Sequence, residues 1–503
     1  MPTLYALGSE SLRYASPVAR LKHLFVAGIR LLATPTHFFF VSAMLVGFTV
    51  VVLTHPFAGD DEQTHFARSY AITRGDWMLE VRGFGVGSQL PSGLIDEMTR
   101  LRVLSGTESR SATWNRWNVD ISDGPDEFVS YPMATLSPVG HVPGAIGIGI
   151  GRILGVSPFV LLLLARAANL MFYIAIVGSV IRVVPVLRWP LAWIGVFPSL
   201  LFVAANASPD PFAIAMVIAA IGLALVVRDR KIRNVPINPA TWCAVFATAV
   251  ALGNAKAPYF LAIGMFALPW LRARGHARLL IATAVVSTVA VGAIWALSFS
   301  DRYVIGAYVG SENASPIEKL IGGLPHPGGM DPTAQWERLR ERPASFASAA
   351  WHMAARQGDR ITAESLFDYS LWVPPWWLSL SGFLLLVGVR FSTPEHDRAH
   401  FSRVERLLVS TLLALLVGFI LLSLFVYDTF ANQQSLEING MQGRYLAPLL
   451  PILMIAIPTI PRLRTPWRLL AVAQILLFGL VVFAVSAGND PWYWVEILRK
   501  IPQ

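Results

Sequence analysis

Apolar residues run through this chain in long blocks separated by short polar segments. The blocks fall near residues 36–54, 158–181, 190–206, 210–228, 240–255, 258–271, 278–299, 371–390, 405–427, 444–461 and 466–486. A helix needs about 20 apolar residues to cross roughly 30 Å of hydrocarbon. A segment in lipid must also pair its backbone amides internally, which leaves the helix as the form these runs can take. The pattern therefore predicts an all-α, polytopic integral membrane protein with about eleven transmembrane helices.

One stretch does not fit the series. Residues 141–155 (HVPGAIGIGIGRILG) are apolar but short and rich in glycine. Counted as a crossing, they would move every later basic loop to the opposite side of the membrane. They read instead as a re-entrant or interfacial helix that closes the first external loop.

The polar segments then order the chain. Residues 1–35 form a basic segment, amphipathic over Leu21–Leu32, on the cytoplasmic interface, and 36–54 is the first span, an uncleaved anchor. A large extracytoplasmic loop covers 55–157, a transmembrane core 158–299, a second loop 300–370, further spans 371–486 and an extracytoplasmic tail 487–503. Helical pieces are expected near Asp331–Arg342 and Ala344–Arg356, and Trp372, Trp376 and Trp377 mark an interface where the next span begins. No internal repeat is visible.

Composition supports the class. Charged residues are 14% and hydrophobic residues 54% of the 503, against about 25% charged in a soluble domain. The net charge of +9 is topology and not a nucleic-acid signal. Lys and Arg gather in short segments around Arg13–Arg30, Arg228–Arg233, Arg272–Arg278, Arg390–Arg406 and Arg462–Arg468, and the positive-inside rule puts all five in the cytoplasm. Cys243, the single cysteine, lies in an expected span and excludes an internal disulfide.

The candidate chemistry lies outside those basic loops. After the first span come Asp60, Asp61, Glu62, His65 and Arg68. If Asp61 begins a helix, positions 61, 65 and 68 share one face. Adjacent acids raise one another's proton affinity, which suits a general base. The same spacing also fits acidic capping of a juxtamembrane helix with a solvated His65 and Arg68, and Glu62-x-x-His65 matches half of a metal site. Arg166 and Asn169 share a face inside an expected span, where they either bond a neighbouring helix or serve function. Asp210, Lys256 and Arg444 with Gln442 sit at external turns. Asp210 could simply cap its helix, and Arg444 could snorkel. Jointly, Asp61, Glu62, Asp210, Lys256 and Arg444 come from distant segments onto one side of the membrane. Acids and cations at one mouth suit a phosphorylated ligand.

These residues also carry a resemblance. Asp61-Glu62-Gln-Thr-His65-Phe-Ala-Arg68, Ser137-Pro138-Val-Gly-His141-Val-Pro143 and Arg166-Ala-Ala-Asn169 come first. Ser208-Pro209-Asp210, Lys256-Ala-Pro258-Tyr259 and Gln442-Gly443-Arg444-Tyr445 follow in order. Together they resemble the family of predicted membrane proteins called domain of unknown function 2142. More broadly the chain resembles the GT-C superfamily of polyprenyl-phosphate-dependent glycosyltransferases. The family usually has a proline where Asp60 stands and an aromatic where His141 stands.

The resemblance implies an inverting sugar transfer on the extracytoplasmic face of the cell membrane, in cell-envelope glycan synthesis. Its donor would be a polyprenyl-phosphate sugar entering from the bilayer, and its acceptor a glycan, lipid or protein. In that reading Asp61 is the base, with Glu62 and Asp60 as substitutes, and His65, Arg68, Arg166 and Asn169 support it. Lys256 and Arg444 hold the donor phosphate. Asp210, His141 and Gln442 serve the acceptor or a divalent cation, Mg or Mn, and the resemblance implies no cofactor beyond that. The rival classes are a flippase or transporter of lipid-linked glycans and a non-catalytic scaffold.

Overall fold

A computed structural model describes residues 34–59, 61–82, 85–107, 116–119, 124–130, 137–305, 332–367, 380, 384, 400–426, 438 and 440–457. The expected N-terminal amphipathic segment, Asp60, the span 371–390 apart from residues 380 and 384, the span 466–486 and the tail 487–503 lie outside these residues.

The architecture is helical. In chain order, α1 is Pro35–Leu53, α2 Glu62–Thr73, α3 Ser92–Thr107, α4 Val142–Ile153, α5 Pro158–Val183, α6 Arg188–Gly195, α7 Pro198–Ala204 and α8 Asp210–Ile232. Then come α9, Pro239–Gly253, a 3-10 run over Ala257–Phe266, α10, Ala267–Trp270, and α11, His276–Ile305. The rest are α12, Pro332–Glu341, α13, Ala344–Phe367, α14, Arg403–Val426, and α15, Leu450–Ala456. Among the described residues, α1, α5, α8, α14 and the His276–Ile294 part of α11 are long and apolar enough to cross a membrane. Pro239–Gly253, Pro258–Trp270 and Gly443–Ala456 are shorter apolar helices.

A repeated device starts these helices. Thr34, Ser157 and Asn238 each accept a hydrogen bond from a first-turn amide and are followed by a proline inside the first turn. The side-chain oxygen satisfies an amide that the helix leaves unpaired, a contribution of about 0.5–2 kcal/mol. Proline has no amide to orphan and is preset for the first helical position.

The block 190–206 is not one span. It breaks between α6 and α7, where Pro198 opens the second helix and Phe197 is extended at φ −61° and ψ 142°. Proline cannot donate to the preceding turn and pushes the residue before it out of helical geometry. The freed carbonyl of Gly195 accepts a bond from the buried Tyr173 hydroxyl at 2.7 Å.

Two cores result. The larger joins α1, α5, α6, α7, α8, the 3-10 run and α14, and α8 is its axis, 94% of its span being enclosed. The smaller joins Phe66, Leu90, Leu94, Met98, Val129 and Ile148 to Phe159, Leu161, Leu162 and Ala165 at the start of α5. At about 1.5 Å per residue, α5, with 26 residues, exceeds a hydrocarbon core of roughly 30 Å. Its first turns carry a small folded layer made from the first loop. That layer holds the strands the helical expectation did not include: β1 (Glu80–Arg82), β2 (Gly85–Pro91) and β3 (Asp126–Ser130), antiparallel in the order β1-β2-β3. Glu80 faces Gly87 and Gly87 faces Ser130.

The glycine-rich stretch 141–155 becomes α4, with 12 residues, too short to cross about 30 Å. Its glycines allow close approach to α5, since a Cβ on Gly147 would stand 2.3 Å from the Leu164 carbonyl oxygen.

At the other end of the bundle Arg228 is not a free loop cation. It donates to Glu405 at 2.7 and 3.0 Å and to the His400 carbonyl at 2.9 Å, which fastens α8 to α14.

Candidate functional site

The six motifs meet at one end of the bundle, where α1 stops, α5 and α8 begin and α9 ends. A buried ion pair organises this end. Arg166 and Glu62 are both fully buried. Arg166 donates to the two Glu62 oxygens at 2.7 and 2.6 Å, and to the carbonyls of Thr54 and His55 at 2.8 Å each. Glu62 also accepts the Ala207 amide at 2.9 Å. One helical turn along, Asn169 donates to the carbonyls of Asn206 and Ser208 at 2.6 and 3.1 Å. Arg166 and Asn169 thus pin the loop after α1 and the loop before α8 to the same face of α5.

That geometry corrects the expected roles of two residues. Glu62 commits both oxygens to Arg166 and Ala207, so it does not face a ligand as a substitute base, nor half of a metal site with His65. Asp61 does not begin the helix. It is the N-cap residue, at φ 56° and ψ 11° with no capping hydrogen bond, and its side chain is exposed. A left-handed backbone is uncommon outside glycine, although Asp tolerates it better than most. The face counted from Asp61 therefore starts one residue too early. Arg68 is buried and donates to the carbonyls of Asp76 and Trp77 at 2.9 and 2.5 Å, which ties α2 to the turn that follows it.

His65 and His141 form a buried pair, with His65 Nδ1 3.2 Å from His141 Nε2. Burial pushes the His65 imidazole down to about 4, against the raising effect of Asp61 and Asp210 and with the lowering effect of Lys256 and Arg444. Burial, then His65 and Arg68, also hold His141 well below the usual imidazole range. Both rings are neutral near pH 7.

Beside this pair stands a charged cluster. Asp210 opens α8 with Lys256 Nζ at 3.5 Å and Arg444 Nε at 4.0 Å. Lys256 Nζ lies 4.7 Å from the centroid of the Tyr445 ring, and the Arg444 guanidinium carbon 5.5 Å from it. The Tyr259 hydroxyl donates to the Tyr445 carbonyl at 3.2 Å. Burial works against the charge on Lys256, but Asp210 and Tyr445, with Asp61 further out, hold its pKa above the ordinary lysine value. The Gln442 side-chain oxygen is buried beside Arg444 with no hydrogen-bond partner among the described residues.

No three His, Cys, Asp or Glu side chains stand together among the described residues. Asp210 faces two cations, an environment that disfavours a third positive charge, so its expected role with a divalent cation does not fit this arrangement.

Two contacts have no mark in the sequence. Ser137 donates to the Asn254 side chain at 2.9 Å, which draws the His141 turn to Lys256. Glu364 in α13 accepts the Gly443 amide at 3.0 Å and pairs with Arg360 at 2.7 Å. A glutamate on an amphipathic helix of a long polar segment otherwise looks solvated, and no motif singles it out.

An apolar helical bundle with a charged cluster at one end defines a polytopic membrane protein with a polar site at its rim. Residues 44–453 match the family described as predicted membrane protein, DUF2142. The chain belongs to that family. Comparisons with curated proteins and with solved structures find no match.

Proposed function

We propose that the protein is a membrane glycosyltransferase of GT-C type, which moves a sugar from a polyprenyl-phosphate donor to an acceptor hydroxyl on the extracytoplasmic side. The observation that carries this reading is the meeting of Asp61, Asp210, Lys256 and Arg444, drawn from four distant segments, at one end of the bundle. The motif resemblance and the basic loops at the other end support it.

In this mechanism the donor phosphate lies against Lys256 and Arg444. The acceptor oxygen attacks the anomeric carbon and gives its proton to Asp61. The bond from that carbon to the phosphate oxygen breaks, and the electron pair leaves with the lipid phosphate. Charge grows on the phosphate as the bond breaks, so the two cations stabilise the transition state more than the bound donor. Asp210 holds the cations in place until the phosphate arrives.

Transport of a lipid-linked glycan is the second reading. The break at Pro198 and the 3-10 run after Lys256 favour it, because transporters build sites on interrupted helices. Against it, the charged cluster sits at an end of the bundle and not at its midplane.

Purified protein with a panel of polyprenyl-phosphate sugars, followed by mass spectrometry of products, separates the two. General-base loss costs about 10²–10⁴ in rate, roughly 3–5 kcal/mol. Asp61→Asn should therefore lose most turnover while it still binds donor. Near-native transfer by Asp61→Asn overturns the base assignment. Translocation without transfer in the native protein overturns the enzyme.

A further inference from the structure

Arg444 sits on a short turn. Gly443–Tyr445 is a 3-10 turn of three residues, and Gln442 before it is extended at φ −124° and ψ 144°. So brief a turn has poor hydrogen-bond geometry and little direction of its own. Its place is fixed from both sides of Arg444. The Tyr259 hydroxyl holds the Tyr445 carbonyl at 3.2 Å, and Glu364 Oε2 accepts the Gly443 amide at 3.0 Å. Tyr259 follows Lys256 in the same motif, so the first hold links the two cations. The second comes from α13, which no motif joins to the cluster.

α13 is firmly seated where it makes that contact. Ala349, Met353 and Ile361 share a face with Glu364 and belong to the larger core. Phe346 meets Phe425 of α14 edge-on, ring centroids 5.6 Å apart, and the Ser199 hydroxyl of α7 donates to the Ser365 carbonyl at 2.7 Å. Glu364 itself is buried, with its other oxygen on Arg360 at 2.7 Å. Gly443 lets the turn come this close, since a Cβ there would stand 2.2 Å from the Ser365 amide nitrogen. We propose that Glu364 is a positioning residue for Arg444: it holds the turn so that one phosphate can bridge the guanidinium and Lys256. This rests on the reading in which Lys256 and Arg444 hold the donor phosphate. Glu364 acts through Arg444, its own oxygens being committed to Arg360 and Gly443.

Reach and charge of this side chain can be varied apart. Glu364→Gln keeps the reach and one acceptor for the Gly443 amide. Glu364→Asp keeps the charge and draws the acceptor back by a methylene. Titration of full-length protein in nanodiscs with labelled polyprenyl phosphate should show Glu364→Asp weaker by about tenfold, the worth of one hydrogen bond to a charged group. Glu364→Gln should bind close to the native affinity. The opposite order would make the carboxylate an electrostatic group and overturns the positioning role. Equal losses in both variants, or no loss in either, overturn it as well.

Coupling to Arg444 separates positioning from a general effect on the fold. In an Arg444→Ala background, Glu364→Asp should bring no further loss, because the group it positions is gone. In a Lys256→Ala background the loss from Glu364→Asp should persist in full. A loss that adds completely to that of Arg444→Ala shows a general defect and overturns the proposal, while Arg444 stays a phosphate ligand. If Arg444→Ala itself binds polyprenyl phosphate as the native protein does, the phosphate reading fails and the positioning role falls with it.

Discussion

Removing the charge of Glu62 should damage the fold far more than removing that of Asp61, whose side chain is exposed. Glu62→Gln keeps the shape of the side chain but leaves Arg166, fully buried, with an uncompensated charge. Breaking one partner of such a pair costs about 3–5 kcal/mol. The carbonyls of Thr54 and His55, each 2.8 Å from Arg166, offset some of this, so the lower half of that range is expected. Arg166→Met should cost about as much, because it leaves a buried carboxylate whose remaining partner is the Ala207 amide. The double variant Glu62→Leu with Arg166→Met removes both charges. It leaves the Ala207 amide and the Thr54 carbonyl unsatisfied, at about 1–3 kcal/mol each, while the His55 carbonyl keeps the Ala58 amide at 3.2 Å, so the double loss should fall below the sum of the single losses. Equilibrium unfolding in mixed micelles over the four proteins of this cycle gives the coupling energy directly. Additive single losses, or a Glu62→Gln cost under about 1 kcal/mol, would show that this pair does not hold the two loops.

Three further outcomes follow from the same geometry. Lys256→Ala and Arg444→Ala should each weaken binding of a polyprenyl-phosphate donor without loss of folding, and Arg444→Lys should be nearly as damaging, because an ammonium lacks the planar fork; unchanged affinity in titrations with labelled donor would reduce both to helix-end anchors. Gly443→Ala should cost about 1–3 kcal/mol by overpacking and lower donor affinity, since its Cβ would stand 2.2 Å from the Ser365 amide nitrogen and 2.4 Å from the Glu364 carbonyl carbon; thermal melting and donor titration check the two effects separately. His65 falls to about 4 in the folded protein from an unfolded value near 6.5, so the unfolded chain binds more protons between those values and stability is lost as pH drops from about 6.5 to about 4, by about 3 kcal/mol at most. His141 adds to the slope in the same direction, and His65→Gln should flatten melting temperature against pH over that range.

The helical class was legible because lipid makes a simple demand, a long apolar run with its amides paired, and the sequence answers that demand openly. The convergence of Asp210, Lys256 and Arg444 was legible for a related reason: charged groups at helix ends away from the basic loops have no positive-inside task. The roles within the acidic motif were not. Asp61 and Glu62 are neighbours of the same type, and the choice between them depends on where α2 begins, one residue later than the spacing suggested. Arg166 looked like a helix-to-helix contact, but its partners lie in two loops that only the folded chain brings together. Arg228 looked like one more basic loop residue until α14 supplied Glu405. The sheet escaped notice because its strands are short and lie inside a long polar loop with no clear alternation.

Ion-pair geometry separates structure from function in this protein. Glu62–Arg166 and Arg228–Glu405 close at 2.6 and 2.7 Å between buried side chains, and each locks chain segments that are far apart in sequence. Such pairs gain from short, forked hydrogen bonds and lose several kcal/mol if a partner leaves. Asp210 stands 3.5 Å from Lys256 and 4.0 Å from Arg444, too far for a short bond to either. One carboxylate is shared between two cations, and a phosphate has the oxygens to engage both at once. With His65 neutral, Asp61 and Asp210 balance Lys256 and Arg444 before any ligand arrives. An incoming phosphate therefore meets two cations whose counter-ion is already loose, which is the electrostatic condition for exchange. In the proposed reading, Glu62–Arg166 is the pair that stays closed, and the Asp210 cluster is the one that exchanges its partner.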